Sequence, residues 1–453
     1  ELRRQRIAWN CRSQREKRSG SSHRESSAVD SYSLCQWSFF AATIGAGVRS
    51  YTPDDPSHCR EPFMAGMKAL ILGAGIAGCT AAHLLRREGW DVTVIEKEPW
   101  VGGGVRTFFH CGHPFQYGPR LYYGYSKPIF EWVNRIVPIR LFPFELKTLA
   151  HEPVDADRQF WSYPPYMDDV PLYPRSSRIN AELAALDNSR EPQDFDEYYR
   201  QRVGPTIYEM FTDFYSRRMW RINSNKQLDT FSWSAKDEPL AKGGREAYKG
   251  SYIGFPIPLT AYNDYFDAML EGVNVRLGES GTVWYRQQIG FDVTVSTIPI
   301  DELVGLPDSL PYVGRDFHLL MLPCEEVFPG NVRFCHYAGK DDEWTRVTEF
   351  KKLTRYKSPN TLLVLEKPSS NGKFYIFQTK AVQAKVKEYQ TMLPPNVYSI
   401  GRLGTGRYST MEQAIAMAFE CVSKITGKPN EMKGQDFAIG DKSMLPKDRK
   451  VVA

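Results

Sequence analysis

The hydrophobic pattern is clearest in residues 67–107, where apolar and polar positions follow the order of a strand, a helix and a second strand. Residues 69–72 are an apolar run with the length and composition of a buried parallel strand. Residues 79–87 then have helical spacing, and residues 92–95 form a second apolar run. This segment predicts a βαβ unit, the building block of doubly wound α/β folds.

A glycine motif, G-x-G-x-x-G, joins the first predicted strand to the helix. Gly73 permits the tight turn, Gly75 lets the backbone approach a pyrophosphate, and Gly78 lets the helix pack close to the sheet. Free N–H groups at the start of the helix suit phosphate oxygens. The second strand ends at Glu96, where an acid accepts hydrogen bonds from ribose hydroxyls, and Lys97 follows it. We therefore predict a dinucleotide site that includes all five residues.

The rest of the chain alternates between helical and strand-like segments. Residues 128–136, 179–233 and 257–270 have helical spacing, whereas residues 304–380 contain alternating, strand-like runs. Apolar strands return near the end, as expected where another domain is inserted into a cofactor domain. The predicted parts are a leader (1–66), a discontinuous Rossmann-like domain (67–127, 252–303 and 395–430), an inserted helical domain (128–150 and 179–251), an antiparallel substrate-side sheet (151–178 and 304–394) and a tail (431–453).

Two shorter patterns add local detail to this α/β fold. Aromatic residues alternate around Gly112 within residues 108–123, which indicates a small hairpin. Residues 161–163 and 170–174 contain short strand-like pieces in a stretch rich in proline and aromatic residues.

The composition is that of an ordinary globular enzyme, with 42% hydrophobic and 25% charged residues among 453. A formal net charge of +5 is too small for this length to indicate nucleic-acid binding. The eight cysteines form neither a C-x-x-C pair nor a zinc spacing, so we expect no metal and a reducing, cytoplasmic location. No apolar run approaches the ~20 residues that a membrane-spanning helix needs.

Residues 1–66 differ from the rest, because arginine, serine and short polar runs dominate them. We expect this leader to be disordered or to come from an upstream-extended reading frame, with Met64 or Met67 as the natural start. A basic arm that binds nucleic acid or a membrane is the alternative interpretation.

The segment after the second strand indicates which cofactor is bound. Residues 101–107 read V-G-G-G-V-R-T and resemble the Gly-Gly…Arg-x-Thr/Ser continuation of FAD-dependent oxidoreductases of the glutathione-reductase and amine-oxidase types. NAD-binding domains usually lack this continuation. The resemblance implies FAD rather than NAD, with Gly103, Gly104 and Arg106 beside it.

Two later segments resemble the UDP-galactopyranose mutase family. Residues 344–351 read W-T-R-V-T-E-F-K, similar to the family's Y-T-R-x-x-E-x-K, and residues 401–408 read G-R-L-G-T-G-R-Y, similar to its G-R-L-G-x-x-R-Y. A third segment, residues 215–220, keeps only Tyr215 and Trp220 of the family's Y-T-x-K-Q-W. The similarity is dispersed over most of the chain after the leader.

The resemblance implies a flavin-dependent isomerase that interconverts the pyranose and furanose forms of a nucleotide-activated hexose. In this chemistry reduced FAD attacks the anomeric carbon through N5 and displaces the diphosphate, the sugar ring opens and recloses, and the diphosphate returns. No net oxidation occurs. The implied partner is a nucleotide sugar, and the oligomeric state stays open, with a homodimer as one option.

The resemblance also implies roles for individual residues. Arg346 and Tyr408 would bind the diphosphate, and Arg402 would lie at the flavin and the sugar, which makes these three the implied catalytic residues. Arginine suits this task because its guanidinium group pairs bidentately with phosphate. Tyr215 and Trp220 would line the nucleotide-sugar pocket.

Plainer interpretations compete with two of these roles. In one of them, Arg346 is a strand arginine paired with Glu349. In the other, Trp220 is a core aromatic residue.

The resemblance also assigns the late glycine-rich turn, with Arg402 and Gly404, to the cofactor.

The chain departs from the family near the flavin. Bacterial members carry G-P-H-x-F-H with a histidine next to the flavin, whereas residues 118–123 read G-P-R-L-Y-Y. Arg120 either adds a positive charge there or faces solvent. An expected phosphate-binding tyrosine falls at residues 365–367, where there is none, and Thr410 replaces an acid.

A mobile-loop arginine of the family also has no clear counterpart, and Lys236, Lys242 and Arg245 are the nearby candidates. These departures indicate a divergent relative that acts on a different nucleotide sugar or base.

Two other functions stay open. One is an FAD-dependent oxidoreductase of the amine-oxidase or desaturase type, which shares the N-terminal fold but not the two later segments. The other is a nucleotide-sugar-binding protein that has lost flavin chemistry, because several pocket residues are replaced.

Overall fold

The computed structural model describes residues 66–152, 158–229, 240, 242–245, 247, 251–287 and 290–432. The predictions for the leader, apart from Gly66, for Lys236, and for the tail beyond Met432 lie outside the described residues.

Strands and helices are interspersed along the described chain. The strands are β1 (Lys68–Leu72), β2 (Asp91–Glu96), β3 (Thr107–His110), β4 (His113–Gln116), β5 (Tyr122–Gly124), β6 (Ile139–Leu141), β7 (Glu145–Leu149), β8 (Phe160–Tyr163), β9 (Tyr252–Pro256), β10 (Asn274–Leu277), β11 (Val293–Ser296), β12 (Tyr312–Leu322), β13 (Val332–Tyr337), β14 (Arg346–Glu349), β15 (Thr361–Ser369), β16 (Tyr375–Ile376) and β17 (Val397–Ser399). The α-helices are α1 (Ile76–Arg87), α2 (Lys127–Ile136), α3 (Ser176–Ala184), α4 (Phe195–Tyr208), α5 (Phe214–Trp220), α6 (Asn263–Leu270), α7 (Gly281–Arg286), α8 (Ile300–Leu303), α9 (Phe350–Thr354), α10 (Lys380–Thr391), α11 (Gly401–Gly404) and α12 (Met411–Thr426). A π-helical turn, Glu209–Asp213, joins α4 to α5. None of the helices that the structure describes has the length and apolar content needed to cross a bilayer.

A parallel sheet forms the centre of the cofactor domain, with the strand order β10–β2–β1–β11–β17. In chain order these strands are the third, second, first, fourth and fifth of the sheet, which is the order of a dinucleotide-binding fold. Strand β1 is central because its apolar residues are buried on both faces; Ile71, for example, pairs with Val94 and Val295. The predicted Rossmann-like domain is therefore confirmed.

The helices α1 and α12 pack together beside this sheet. Leu85 of α1 and Phe419 of α12 belong to the same buried core. The first turn of α12 is held by a capping box, in which the Gln413 backbone N–H donates to the Thr410 hydroxyl and the Thr410 N–H donates to the Gln413 side chain. The cap determines where α12 starts, at the end of the late glycine-rich turn.

A second, larger sheet has the order β16–β12–β15–β14–β13–β7–β8. All its pairs are antiparallel except β13–β7, which is parallel and has a register shift. Strand β7 corrects the predicted domain boundary, which placed residues 128–150 in the helical domain. Its alternating burial, with Leu146 and Thr148 inside, is the pattern of a sheet with one covered face. The β3–β4 hairpin forms around Gly112 as predicted.

Two local predictions were wrong. A 3₁₀ turn, Met167–Leu172, replaces the strand expected at residues 170–174, since Pro171 has no N–H to donate to a ladder. The helix expected from residue 257 begins at Asn263, because Ala261 has a φ of 46°, in the left-handed region that a helix excludes.

Gly78→Ala tests the close packing of α1 on the first turn. A Cβ at position 78 would overlap the Gly73 carbonyl oxygen, which is backbone and has no freedom to move aside. We expect the free energy of unfolding to fall by about 3 kcal/mol, the upper end of the usual cost of overpacking. Denaturant unfolding measures this loss.

The matched control is Gly75→Ala, since no atom lies within 4 Å of a Cβ at that position. We expect its unfolding free energy to stay within about 0.5 kcal/mol of the wild-type value. Equal losses in the two variants would contradict the packing argument.

Candidate functional site

Two glycine segments of the cofactor domain meet at the first turn. The Gly73 backbone has a φ of 96°, and its N–H donates to the Ile95 carbonyl at 2.8 Å. The Gly75 side of the turn is open, and a Cβ on Gly103 would stand 3.4 Å from the Gly75 Cα. Residues 102–104 therefore fold back beside the turn, and Gly104 lies at their exposed end. Together the two segments form a crevice bordered by backbone.

Glu96 lies at the same crevice. Its buried carboxylate accepts hydrogen bonds from the Ala74 N–H at 2.8 Å and the Glu98 N–H at 3.0 Å. Lys97 is exposed, and the Arg106 guanidinium donates to the Val101 carbonyl at 3.1 Å. The acid is thus placed beside the turn, whereas Arg106 holds the shape of the second glycine segment.

The late glycine-rich turn reaches the start of α1. Gly401 has a φ of 74°, and a Cβ there would stand 3.4 Å from the Ala77 Cβ. A Cβ on Gly404 would lie 2.8 Å from the Ser399 hydroxyl, so this residue packs against β17. Arg402 follows Gly401 in this turn, and its guanidinium donates to the Ser409 carbonyl at 2.7 Å. The first and the last glycine turns of the chain are therefore neighbours.

A cavity of about 260 Å³ lies where the cofactor domain, the helices and the large sheet meet. It is lined by all five residues that the family resemblance places at the substrate: Arg346, Arg402, Tyr408, Tyr215 and Trp220. We call this space the arginine cavity. The structure brings these residues together although they are far apart in sequence.

Arg346 reaches the arginine cavity from β14, where its partner is Glu366 on β15. The Arg346 Nε and Nη2 lie 3.1 Å and 2.5 Å from the Glu366 Oε2, and the Arg315 Nε lies 3.1 Å from the other carboxylate oxygen. Burial raises the pKa of Glu366, but the Arg346 and Arg315 charges outweigh it and hold this pKa below its ordinary value. One ionised carboxylate therefore orients Arg346.

The alternative pairing of Arg346 with Glu349 is wrong. The buried Glu349 carboxylate instead accepts hydrogen bonds from the Val327 and Phe328 N–H groups, each at 2.8 Å. Lys351 likewise donates to backbone carbonyls, including that of Glu325 at 2.8 Å. The acid and the lysine of this motif hold the loop before β13, and only its arginine faces the cavity.

Arg402 lies against two stacked tyrosines. The Tyr375 and Tyr408 ring centroids are 5.7 Å apart at 8° between planes, and the guanidinium carbon is 4.8 Å and 4.9 Å from them. Burial alone would raise the pKa of Tyr375, but the charges of Arg402, Arg120 and Arg315 outweigh it and lower this pKa to about 8. For Tyr408, burial raises the pKa.

Arg120 also lines the arginine cavity, so the interpretation that it faces solvent is wrong. Burial lowers the pKa of its guanidinium, and the charge of Arg402 adds to this effect. Among the described lining residues, Arg120, Arg346 and Arg402 are the permanent cations and Glu366 is the carboxylate. This end of the cavity therefore has an excess of positive charge.

The rest of the lining is largely aromatic and apolar. The Tyr215 ring lies 5.0 Å from His336, and burial raises the pKa of Tyr215 to about 12. Trp220 is 3% exposed and its ring contacts Tyr375 at 6.2 Å, so it is both a core aromatic and a cavity residue. Further apolar lining comes from Phe144, Leu146, Phe195, Phe211, Ile253 and Phe334.

Of the candidates for a mobile-loop arginine, Arg245 is paired elsewhere. Its guanidinium contacts both carboxylate oxygens of Asp169 at 2.7 Å and 2.6 Å. Lys242 is exposed, and neither residue lines the arginine cavity. Thr410, the replacement for an acid, is the N-cap of α12 and lines the cavity.

Sequence reasoning missed Glu366, Tyr375 and His336 as cavity residues. Glu366 is opposite Arg346 only in the β14–β15 register, which the strand pattern alone does not specify. Tyr375 lies on β16, beyond residues 365–367, where the family resemblance places a phosphate-binding tyrosine. In the sequence, the only indication of Tyr375 as a cavity residue is its place in the aromatic run of residues 374–377.

Comparisons with known proteins agree with this geometry. The profile of the UDP-galactopyranose mutase family matches residues 210–408, and that of the NAD(P)-binding Rossmann-like domain matches residues 71–136. The first match contains Arg346, Arg402 and Tyr408, and the second contains the glycine turn.

Two curated relatives are similar over most of the chain. The dTDP-fucopyranose mutase of Escherichia coli is 24% identical over 381 residues, which cover 78% of this chain and 97% of the relative. The probable UDP-galactopyranose mutase of Klebsiella pneumoniae is 20% identical over 385 residues, which cover 79% and 94% of the two chains.

A solved structure supports the same fold. A reduced UDP-galactopyranose mutase superposes with a TM-score of 0.68 at 16% identity, covering 81% of this chain and 97% of that chain. The two family motifs, the family profile and the relatives agree with one another. In sequence this chain is similar to nucleotide-sugar pyranose mutases, which are isomerases, and in particular to the UDP-galactopyranose mutase family over residues 210–408.

Proposed function

We propose that this protein interconverts the pyranose and furanose forms of a nucleotide-activated hexose, using reduced FAD and causing no net oxidation. The observation that supports this most is the convergence of Arg346, Arg402 and Tyr408 on one cavity. Arg402 extends from a turn whose Gly401 lies beside the start of α1. Arg402, which we assign to the substrate, therefore lies next to the glycine turn that we assign to the cofactor.

The residues at the crevice fit a dinucleotide cofactor. The open side of Gly75 leaves room for a pyrophosphate against the start of α1, and Glu96 is placed for ribose hydroxyls. Gly103 and Gly104 would border the rest of the cofactor toward the cavity. When bound, a reduced flavin supplies a nitrogen nucleophile for the anomeric carbon.

Arg346 and Arg402 bind the diphosphate and stabilise the negative charge that develops on it as it leaves the sugar. Glu366 holds Arg346 through two hydrogen bonds, and the Ser409 carbonyl and the two tyrosine rings hold Arg402. Groups already oriented in a buried site need little reorganisation during the reaction, so their electrostatic effect is large. Tyr408 offers a hydroxyl beside them.

The aromatic and apolar part of the lining contacts the remainder of the substrate. Tyr215 and Trp220 offer flat faces to a sugar or a base, and the surrounding phenylalanines exclude water. Water exclusion keeps an activated sugar from hydrolysis while its diphosphate is detached. The substrate we propose is a UDP- or dTDP-hexose, since the two curated relatives are named for these two nucleotides.

The described cysteines support a reducing, cytoplasmic location for this enzyme. Cys79, Cys111, Cys324, Cys335 and Cys421 are all free thiols.

The reaction itself is tested with the full chain loaded with FAD. We expect furanose product from a UDP- or dTDP-hexose when the flavin is reduced with dithionite, and none when it is oxidised, measured by chromatography. Turnover with oxidised flavin and peroxide release would favour the oxidoreductase alternative. Binding of the nucleotide sugar without product under reduction would favour a protein that has lost catalysis.

Arg346→Lys tests the bidentate contact to the diphosphate. We expect kcat/KM to fall about 10- to 100-fold, because lysine keeps the charge but loses the paired hydrogen bonds. Arg407→Lys is the matched control: Arg407 belongs to the same family motif as Arg402 but contacts Gln383 and does not line the cavity. Similar losses in both variants would exclude a specific role for Arg346.

Tyr375→Phe tests how the ionisation of Tyr375 changes the net charge of the arginine cavity. A pKa lowered to about 8, below the ordinary value of about 10, means that Tyr375 ionises within the working range. The stabilisation that this ionisation gives the fold is complete above about pH 10 and is lost as the pH falls through about 8. The phenolate, however, repels a diphosphate. UDP affinity should therefore weaken as the pH rises through 8 in the wild type and stay level in the variant.

Titration calorimetry across this pH range gives the affinities, and phenolate absorbance gives the ionisation. A decline of equal size in Tyr375→Phe would assign the pH dependence to another group.

A further inference from the structure

Arg120 occupies a part of the cavity wall that the proposed mechanism does not use. It lies in the loop between β4 and β5 and lines the arginine cavity beside Arg346 and Arg402. The loop ends at β5, which pairs with β9, so its backbone is anchored at that end.

The Arg120 side chain lacks a partner for one of its buried donors. Its Nε is shielded from solvent and has no hydrogen-bond partner among the described residues. Glu366 attracts Arg120 electrostatically, but its hydrogen bonds go to Arg315 and Arg346, and the Arg120 Nε has no acceptor among the described residues. A buried donor without an acceptor costs free energy, and a ligand that provides the acceptor removes this cost.

The position of Arg120 links the two halves of the site. Its Nη2 lies 3.6 Å from where a Cβ on Gly104 would stand, at the second glycine segment of the crevice. Its charge also lowers the pKa of Tyr375 and of Glu366, which lie on the diphosphate side. The guanidinium is therefore between the cofactor crevice and the arginine end of the cavity.

We propose that Arg120 binds an anionic group of a bound ligand at the junction between the Gly104 segment and the arginine end of the cavity. The proposal rests on the proposed function and deepens it. Two sources offer such a group: the diphosphate of the nucleotide sugar, and the reduced flavin in its anionic form. Unlike a histidine, arginine keeps its charge at every working pH, so this contact does not weaken as the pH rises.

The first experiment measures UDP binding to the full FAD-loaded chain by titration calorimetry. Arg120→Met removes the charge and keeps an unbranched apolar side chain of similar length. We expect affinity to fall about 10- to 100-fold if the diphosphate is the ligand, since a hydrogen bond to a charged group is involved. Arg407→Met, outside the cavity, is the matched control and should bind UDP as the wild type does.

The second experiment measures the reduction potential of the bound flavin in the same three proteins. If the anionic reduced flavin is the ligand, Arg120→Met destabilises the reduced form about tenfold, which is a shift of about 30 mV to more negative potential for a two-electron couple. The shift must be absent in Arg407→Met.

A folding check accompanies both measurements. Because a guanidinium whose buried Nε has no acceptor in the described part of the chain is removed, ligand-free Arg120→Met should melt at the same temperature as the wild type or higher. A loss in either the UDP or the flavin measurement, in a variant that melts no lower than the wild type, supports the proposal and identifies the anion. Unchanged UDP affinity together with an unchanged potential overturns it.

The failure of the proposed function looks different. Wild-type protein that binds flavin but no UDP would refute the proposed substrate, while the potential shift alone would still decide the role of Arg120. A lower melting temperature for Arg120→Met without ligand would instead show that the arginine is a structural residue, and would overturn the proposal.

Discussion

The excess of positive charge on the half-buried arginines of the arginine cavity is the constraint on which this structure depends. Arg120, Arg346 and Arg402 line one space with a single carboxylate among the described lining residues, that of Glu366. Such an arrangement is unfavourable by itself, because buried like charges repel and desolvation is costly. Arg315 shares the same carboxylate and adds to the excess. A fold that maintains this charge is suited to a ligand with several negative charges, and a nucleotide diphosphate meets that description.

The three arginines come from three parts of the chain, so the cavity exists only when all three parts are in place. Arg120 follows the first hairpin, Arg346 lies on β14 of the large sheet, and Arg402 lies in the late glycine-rich turn. Close backbone packing makes this possible, because a side chain at Gly78 would overlap the first turn. At Gly401 the backbone approaches the start of α1 in a left-handed conformation. The tight turns that form the dinucleotide-binding fold therefore also position the arginines of the cavity.

The sequence predicted the features that local patterns encode. The glycine motif, the central parallel strands and α12 are signalled by short-range spacing, and two motifs indicated Arg346, Arg402 and Tyr408 as cavity residues. It did not predict what depends on register and distant contacts. Glu366 meets Arg346 only because β14 and β15 pair in one register, and Tyr375 arrives from a two-residue strand. The orientation of Arg120 depended in the same way on packing that no local pattern describes.

The most direct test of the charge-based account compares the affinities of UDP and uridine for the FAD-loaded protein, measured by calorimetry at one salt concentration. Both ligands offer the same base and ribose, so the difference isolates the diphosphate. The account predicts that UDP binds at least about 100-fold more tightly, as expected if two or more arginines form charged hydrogen bonds with it. Equal affinities would show that the arginine cavity does not bind the diphosphate, and would contradict the account.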